Sequence, residues 1–495
     1  MTDSAAPAWN AGKARAELAP GALFIGGQWT PAASGRERAI VDPATGEQVT
    51  QVPDSAAVDV ERATATARRA FDEGPWATMH PRDRGRVLLR AADLLRQKAA
   101  AIAAVESLDV GKPITFTTYV DIPTAIDLFE YYGTLATSIE GAARSTRIPA
   151  LAYTRREPIG VVGAITPFNF PLILSSSKIA PALAAGNTLV HKPAEETPLS
   201  ALLLAQVLQE AGLPDGVYNV VTGAAPAGEA LLRDPRVDKI AFTGSTQVAR
   251  IVARTAAESL KKLTLEAGGK AANIIFADAN LPAAIETAIK AFVFNTGQFC
   301  MAGTRLLVER PVYEDVLAAL AGACPHIPVG DPFAPSTVIG PMAGQRHRDK
   351  VQGYLEAARK EGVRVLGGNG TLPAGGGCFL SPSILADVSQ DSRYVQEEIF
   401  GPVLTVQTFS TEDEAVALAN GTSFGLAAGL QTGSVARAHR VAARLRAGIV
   451  WVNGWAMLDS AMPFGGCKQS GYGRETGPEG LDEYLQTKSV IVSLG

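Results

Sequence analysis

From residue 160 onward the chain alternates short apolar runs with amphipathic windows, and this rhythm constrains the fold more than any other feature. The runs are Gly160–Ile165, Thr188–Lys192, Val217–Val221, Lys239–Thr243 and Asn273–Phe276, and the windows between them lie around 172–185, 198–211, 226–233 and 246–259. An unbroken apolar run belongs to a strand covered on both faces, and a helical window after it returns the chain to start a parallel neighbour. The pattern therefore predicts βαβ units, a mainly parallel sheet with helices on its faces, and ligand binding at the carboxyl ends of the strands. A second α/β series fills about 300 to 460, with strands at Arg305–Val308, Val403–Thr408 and Ile449–Val452 and helices near 312–321, 345–361, 412–420 and 434–445.

The remainder reads differently. Residues up to about Pro20 are Ala-rich and poorly patterned, and are expected to be a loosely held arm. Residues 54–73 predict a helix capped by Asp54 or Ser55, with Val58, Ala63, Ala67, Ala70 and Phe71 along one side. A longer helix is expected from Asp83 to about Leu108, stopping at Gly111-Lys112-Pro113, and another from Pro123 to Ile139. The last run, Ser489–Leu494, is a strand with nothing after it to pair with, so its partner lies elsewhere in the fold or in another subunit. No internal repeat is visible, and Gly375-Gly376-Gly377 marks a surface turn.

Composition excludes several classes. At 495 residues, 47% hydrophobic and 19% charged, the chain buries a large interior and divides into about three domains. Its 45 basic and 49 acidic side chains lack the basic excess of a nucleic-acid binder. The four cysteines, Cys300, Cys324, Cys378 and Cys467, form no CxxC pair, which argues against a disulfide scaffold or zinc ribbon and fits a reducing cytoplasm. The most apolar stretch, Ile159–Leu174, is interrupted by Pro167, Asn169 and Pro171, so no membrane span is expected, and the first twenty residues lack the apolar run of a signal peptide.

Several segments carry candidate chemistry. Cys300, in NTGQFCMAGTR, occupies a Gly-bounded loop where a thiol is accessible enough to react, although a cysteine taken alone is more often structural. Glu266, in LTLEAGGK, projects from a strand end into a Gly-rich turn, as a general base or a solvated carboxylate. Asn169, in PFNFP, is an oxyanion donor or a turn residue before Pro171. Phe242-Thr243-Gly244-Ser245 joins a strand to a helix and offers backbone N–H groups and the Ser245 hydroxyl to an anion, while Lys192 and Glu195 follow another strand end. A Glu there suits ribose hydroxyls and repels a 2′-phosphate.

Taken together, PFNFP, HKPAEETP, FTGST, LEAGGK, GQFCMAGTR, EEIFGPV at 397–403 and PFGGCKQSGYGRE at 463–475 resemble, in order and spacing, the NAD(P)-dependent aldehyde dehydrogenase superfamily. The resemblance runs from about Phe24 through the last strand, and Glu266 places it nearest the hydrolytic, non-acylating branch. It implies an α/β fold: a Rossmann-like NAD-binding domain (1–139 and 158–267), a second α/β catalytic domain (268–475), and a small β oligomerisation arm (140–157 and 476–495). The arm would include a hairpin, and the terminal strand would add to a neighbouring subunit's sheet in a homo-oligomer, dimer or tetramer.

The resemblance further implies that Cys300 attacks an aldehyde, that Asn169 and a backbone N–H hold the oxyanion, and that Glu266 activates water to release the acid, with Lys178 on the nicotinamide side. NAD, in preference to NADP, would be bound by Ile165, Pro167, Lys192, Glu195, Gly223, Gly244, Ser245, Glu398 and Phe400, with no metal. The substrate tunnel would be walled by Phe168, Phe170, Leu174, Ser177, Phe294, Phe299, Met301, Trp455, Met457, Leu458 and Phe464. Such a wall favours apolar aliphatic or aromatic aldehydes. In the alternative, Trp455 stacks on a quaternary ammonium as in betaine aldehyde enzymes, although the family's cage places Trp where this chain has Phe168 and Phe464. A semialdehyde dehydrogenase, a cysteine acyl-transfer hydrolase with a vestigial dinucleotide site and a non-catalytic role are the other readings. Two departures stand out: Ala249 replaces a family glycine and leaves less room beneath a pyrophosphate, and Ala267 replaces a leucine.

Overall fold

A computed structural model describes residues 9–374 and 376–494. Two open sheets dominate it. The first has eight strands, ordered Gln28–Thr30, Leu23–Ile25, Tyr218–Val220, Thr188–Lys192, Val161–Ile165, Lys239–Thr243, Lys262–Glu266 and Gly471–Tyr472. Its five central strands are parallel, and both flanking junctions are antiparallel. Helices Pro171–Ala185, Leu199–Glu210, Ala225–Arg233 and Thr246–Ala257 make the crossovers that the apolar rhythm predicts. Successive strands step outward from Val161–Ile165 in one direction, then resume on its other side at Lys239–Thr243. The strand order thus reverses between Ile165 and Thr243, which opens a crevice there.

The second sheet has seven strands, ordered Arg364–Gly367, Ser383–Ala386, Val403–Phe409, Arg305–Glu309, Ala272–Ile275, Ala427–Gln431 and Ile449–Val452, all parallel except the first pair. Three of these, Arg364–Gly367, Ser383–Ala386 and Ala427–Gln431, carry no clear signal in the sequence. The last of them, Ala-Ala-Gly-Leu-Gln, is built mostly of small residues that give no β-branched or aromatic pattern. The 268–475 segment is not confined to this sheet, because its Gly471–Tyr472 strand pairs with Leu265 and Glu266 on the edge of the first.

Elsewhere the structure corrects several boundaries. The N-terminal stretch is not loose where it is described: Asn10 caps a helix over Ala11–Ala16, and the methyl of Ala14 packs fully buried with Ala104 and Leu108. Residues 1–8 lie outside the described residues, as does Gly375 of the glycine triplet. The helix expected from residue 54 begins at Ala57, because Asp59 rather than Asp54 or Ser55 accepts the Ala56 N–H, at 3.0 Å. The long helix is two, Pro81–Gln97 and Ala99–Val110, broken at Lys98. The break turns the chain so that the second helix is buried on nearly all sides, and it stops at Gly111 in the left-handed conformation.

The terminal strand, Leu485–Ser493, finds its partner within the chain. It pairs antiparallel along its whole length with Ala150–Pro158, which in turn pairs with Ala143–Arg144. The expected arm is therefore one three-stranded sheet rather than a strand lent alone to a neighbour. Among the described residues no helix is long and apolar enough to cross a membrane.

Candidate active site

The crevice at the strand reversal is a cleft of about 150 Å³ lined by Pro167, Phe168, Asn169, Leu174, Thr243, Gly244, Ser245, Ala267, Gly268, Cys300, His347, Lys350, Glu398, Ile399 and Phe400. Its two walls come from opposite strand ends of the two sheets. Asn169, Gly244, Ser245 and Gly268 follow the carboxyl ends of first-sheet strands, whereas Cys300 and Glu398 precede the second-sheet strands that begin at Arg305 and Val403. The rule that ligands sit at carboxyl ends holds for the first sheet only.

The Gly-rich turn after Glu266 is a close-packing device. A Cβ on Gly268 would stand 2.3 Å from Glu398 Oε2, and one on Gly269 would stand 2.3 Å from the Cys300 carbonyl oxygen. Gly269 N–H donates to Glu398 Oε1 at 2.8 Å, tying the two walls together. Cys300 is half-buried. Burial, then the charges of Glu398 and Glu266, push its thiol well above the usual cysteine range, partly offset by the N–H groups of Met301 and Cys300. The thiol reaches the cleft as a Gly-bounded loop residue should, and its raised pKa means that a neighbouring base would assist its ionisation.

Glu266 is buried at the end of the Lys262–Glu266 strand, and no side chain hydrogen-bonds either carboxylate oxygen, with only the Gly466 backbone N–H acting on them. Burial raises its pKa well above the carboxylate range; Glu475 adds to the rise, and Lys178 and Arg474 oppose it. Lys178 donates to Thr243 Oγ1 at 2.6 Å and forms a buried ion pair with Glu475, which also accepts from Ser177 Oγ at 2.8 Å. Ser177 is thereby committed to Glu475 and not to a substrate wall. Glu475 is a residue that sequence reading passed over, although it closes the motif at 463–475; its partners lie 297 and 298 residues away. His347 and Lys350 on the cleft wall were likewise missed, because the helix Gln345–Lys360 carries no motif.

Asn169 is buried, and its side-chain amide donates to the Gln298 carbonyl at 2.9 Å. Phe170, Phe299 and Met301 form one buried cluster, against which Leu174, Phe294, Trp455 and Phe464 pack together with Cys300. Phe170 packs within 6.0 Å of Phe294 and 5.4 Å of Phe299. Trp455 donates its indole N–H to the Met301 carbonyl at 3.1 Å. Behind Phe170, the buried Lys112 ammonium lies 4.1 Å from the ring centroid and pairs with Asp121 and, at 3.6 Å, Glu106. Phe168 is placed apart from this cluster, its ring 4.1 Å from His347 and edge-on to Phe400 at 5.7 Å. Met457 and Leu458 are 60% and 54% exposed, on the rim rather than in the wall.

On the other side of the reversal, Ile165 and Lys192 end adjacent parallel strands. The Lys192 ammonium donates to the carbonyls of Pro193 and Gly223 at 2.7 and 2.8 Å, and burial lowers its pKa to about 8. Glu195 is partly exposed and lies 3.9 Å from Arg38, which also reaches Asp54 at 3.5 Å. Ser55 Oγ is buried without a partner, and its backbone N–H stands 3.1 Å from where a Cβ on Gly223 would be. Ser245 caps the helix Thr246–Ala257 by accepting from Val248 N–H, which leaves its own O–H to donate. These residues offer a dinucleotide a helix N-terminus for its pyrophosphate and a carboxylate for a ribose, so they fit such a cofactor. Ala249, in the first turn of that helix, is buried in the core cluster that includes Phe242, Val252 and Ala267 and is not among the cleft-lining residues.

Cys324 and Cys378 are buried, with thiols pushed up by desolvation, to about 11 for Cys324; Cys467 donates to the carbonyls of Gly425 and Arg446.

Comparison with known proteins bears on the whole chain. The family described as Aldehyde dehydrogenase family matches residues 29–490. An aldehyde dehydrogenase of Alternaria alternata is 44% identical over 478 residues, covering 96% of each chain. The indole-3-acetaldehyde dehydrogenase AldA of P. syringae, solved as a cysteine-to-alanine mutant with NAD+ and IAA, has a TM-score of 0.95 and 40% identity, covering 98% of each chain. The betaine aldehyde dehydrogenase betB of Staphylococcus aureus, solved with NAD+, has a TM-score of 0.95 and 36% identity over 97% of this chain and 96% of that one.

Proposed function

The chain belongs to the aldehyde dehydrogenase family, and from that premise we propose that it oxidises a bulky apolar aldehyde to the carboxylic acid with NAD+. The observation that carries this reading is the cleft where Asn169, Cys300, Glu398 and Phe400 meet, with the buried carboxylate of Glu266, one residue before the cleft-lining Ala267, close enough for its charge to bear on the thiol.

Cys300 Sγ attacks the aldehyde carbon and forms a C–S bond. Because burial disfavours the thiolate, the proton passes to a base as the bond forms; the charges of Glu398 and Glu266 both reach the thiol, and with Glu398 Oε1 engaged by the Gly269 N–H we assign that role to Glu266. The Asn169 amide and the Cys300 N–H receive the negative oxygen. NAD+, when bound, accepts the hydride that the tetrahedral carbon then loses, which leaves a thioester on Cys300. Lys178 and Glu475 hold charge next to Glu266 and provide a route by which it releases that first proton away from the site. Glu266 then takes a proton from water, whose oxygen attacks the thioester; as the C–S bond breaks and the acid leaves, Glu266 returns this second proton to the Cys300 sulfur. Lys192 and Glu195 would bind the adenosine ribose, Ser245 with the helix behind it the pyrophosphate, and Glu398 with Phe400 the nicotinamide ribose and ring.

The substrate class follows from the aromatic cluster. Phe170, Phe294, Phe299, Met301 and Trp455 favour an aryl or long alkyl group, as does the 40% identity to an indole-3-acetaldehyde enzyme. A quaternary ammonium substrate is less well served, since Phe168 is engaged by His347 and Phe400. The arm carries exposed Ile148, Leu151, Ile491 and Leu494, an apolar surface that supports assembly into a homo-oligomer.

The test is aldehyde-dependent NADH formation across arylacetaldehydes, straight-chain aldehydes, semialdehydes and betaine aldehyde. Turnover is expected to be highest with aryl and long alkyl substrates and to vanish in Cys300→Ala. Undiminished turnover in that variant, or ester cleavage with no detectable NAD binding, overturns the reading.

A further inference from the structure

The segment that delivers Cys300 is built on an unusual backbone. Asn295, Thr296 and Gly297 are three consecutive residues in the left-handed region, with φ of 48°, 56° and 70°. Asn tolerates that region better than most residues and Gly freely, whereas β-branched Thr is disfavoured there. Such a conformation persists only where the surroundings over-determine it, and here they do. Thr296 Oγ1 donates to the Gly340 carbonyl at 3.1 Å, and Gln298 Oε1 accepts from Ala343 N–H at 2.9 Å. A Cβ on Gly297 would stand 2.2 Å from Gly401, so the loop lies directly against the segment that carries Glu398 and Phe400.

The Asn295 side chain does something more specific than hold the turn. Fully buried, its amide donates to the Asn169 main-chain carbonyl at 2.8 Å and to the Gln298 carbonyl at 3.2 Å. The Asn169 side-chain amide donates to that same Gln298 carbonyl at 2.9 Å. These bonds close a ring: Asn169 main chain, Asn295 amide, Gln298 carbonyl, Asn169 side chain. One end of the ring is the proposed oxyanion donor, and the other lies two residues before the nucleophile. One N–H of the Asn169 amide is consumed by Gln298, which leaves the second for the cleft that Asn169 lines.

We propose that Asn295 is a positioning residue for the oxyanion site, fixing the Asn169 amide relative to Cys300 by anchoring both Asn169 and the carbonyl that orients it. This rests on the reading of Asn169 as the oxyanion donor. Without Asn295 the Gln298 carbonyl keeps one donor instead of two, the Asn169 backbone loses its anchor to the cysteine loop, and the amide swings.

The decisive experiment is a double-mutant cycle. Asn295→Gly removes the amide while allowing the left-handed backbone, so the loop conformation is retained. It is expected to lower kcat by about tenfold or more, a fraction of the 10²–10³-fold lost when an oxyanion donor is deleted. The aldehyde KM and the Kd for NAD measured by titration should change by less than about twofold, since uniform binding is untouched. Combined with Asn169→Ala it should add nothing beyond Asn169→Ala alone, because a residue that acts through another has no effect once that other is gone. Multiplying effects in the double variant, or wild-type kcat in Asn295→Gly, overturns the proposal. Asn295→Asp keeps the size and left-handed tolerance but turns an acceptor toward two carbonyls, so full kcat in a variant that still binds NAD overturns it too. Wild-type kcat in Asn169→Ala would instead overturn the reading on which it rests.

Discussion

Gly269→Ala puts the packing of the site to a quantitative test. The position has no left-handed φ, so alanine carries no backbone penalty and the effect is steric alone. The added methyl carbon would stand 2.3 Å from the Cys300 carbonyl oxygen and 3.3 Å from Leu426 Cβ, where ordinary contact begins at 3.4 Å. The cysteine loop must therefore withdraw by about 1 Å, or the turn must recoil and lose the bond from Gly269 N–H to Glu398. Either way the thiol moves relative to Asn169 and to the residues proposed to hold the nicotinamide. A misplacement of about 1 Å costs on the order of 10²-fold in rate, and overpacking of this kind about 1–3 kcal/mol in stability. The assay is kcat with a saturating aryl aldehyde, alongside NAD binding to show that the cofactor wall is intact. Gly353→Ala serves as the control, since nothing lies within 4 Å of a Cβ there and the residue sits inside the helix Gln345–Lys360, where alanine is favourable. A kcat for Gly269→Ala within about threefold of wild type would refute the claim that this glycine is required by the approach of Cys300.

Two further outcomes follow from the charges. The base Glu266 must be ionised to work, so kcat limited by thioester hydrolysis falls as pH drops through its raised pKa; Glu475→Gln removes one of the two causes of that rise and frees the Lys178 charge, so the acidic limb of the kcat profile moves to lower pH, and a fixed or upward-moving limb contradicts the assignment. At the adenosine side, Glu195→Gln removes the carboxylate that repels a 2′-phosphate while leaving Arg38, so the ratio of kcat/KM for NADP to that for NAD should rise by about tenfold, measured with both cofactors; an unchanged ratio rules out Glu195 as the discriminating residue.

How much of this was legible in the chain depended on what kind of signal each part leaves. The strands Thr188–Lys192 and Lys239–Thr243 were placed to the residue, because a parallel strand buried on both faces must be an unbroken run and its helices must follow. The strand Ala427–Gln431 lies inside the edge strand Ile449–Val452 of the second sheet and left no signal, since its neighbours approach too closely for large side chains: a Cβ on Gly429 would stand 2.7 Å from the Trp455 ring. Lys98 breaks a helix whose apolar residues continue on both sides, so periodicity alone merged the two pieces. Phe168 was assigned to the substrate wall with Phe170, yet the intervening Asn169 turns the chain, and the two rings serve different sides of the site.

The candidate site divides along the same line. On the first sheet, every contribution follows a strand end, at Ile165, Lys192, Thr243 and Glu266, so topology alone points to it. On the second sheet, Cys300 and Glu398 precede their strands, where no topological rule directs attention, and only their motifs marked them. The parts that no motif or rule marked are those defined by contact: the Lys178–Glu475 pair, the His347–Phe168 stack, and the ring through Asn295. Each supports a residue that was legible and joins segments remote in sequence. The reacting groups are constrained in type, so a pattern of residues can reveal them. Their supports are constrained by shape and by donor–acceptor pairing, so a buried amide such as Asn295 acquires its role only when Asn169 and Gln298 arrive on either side of it.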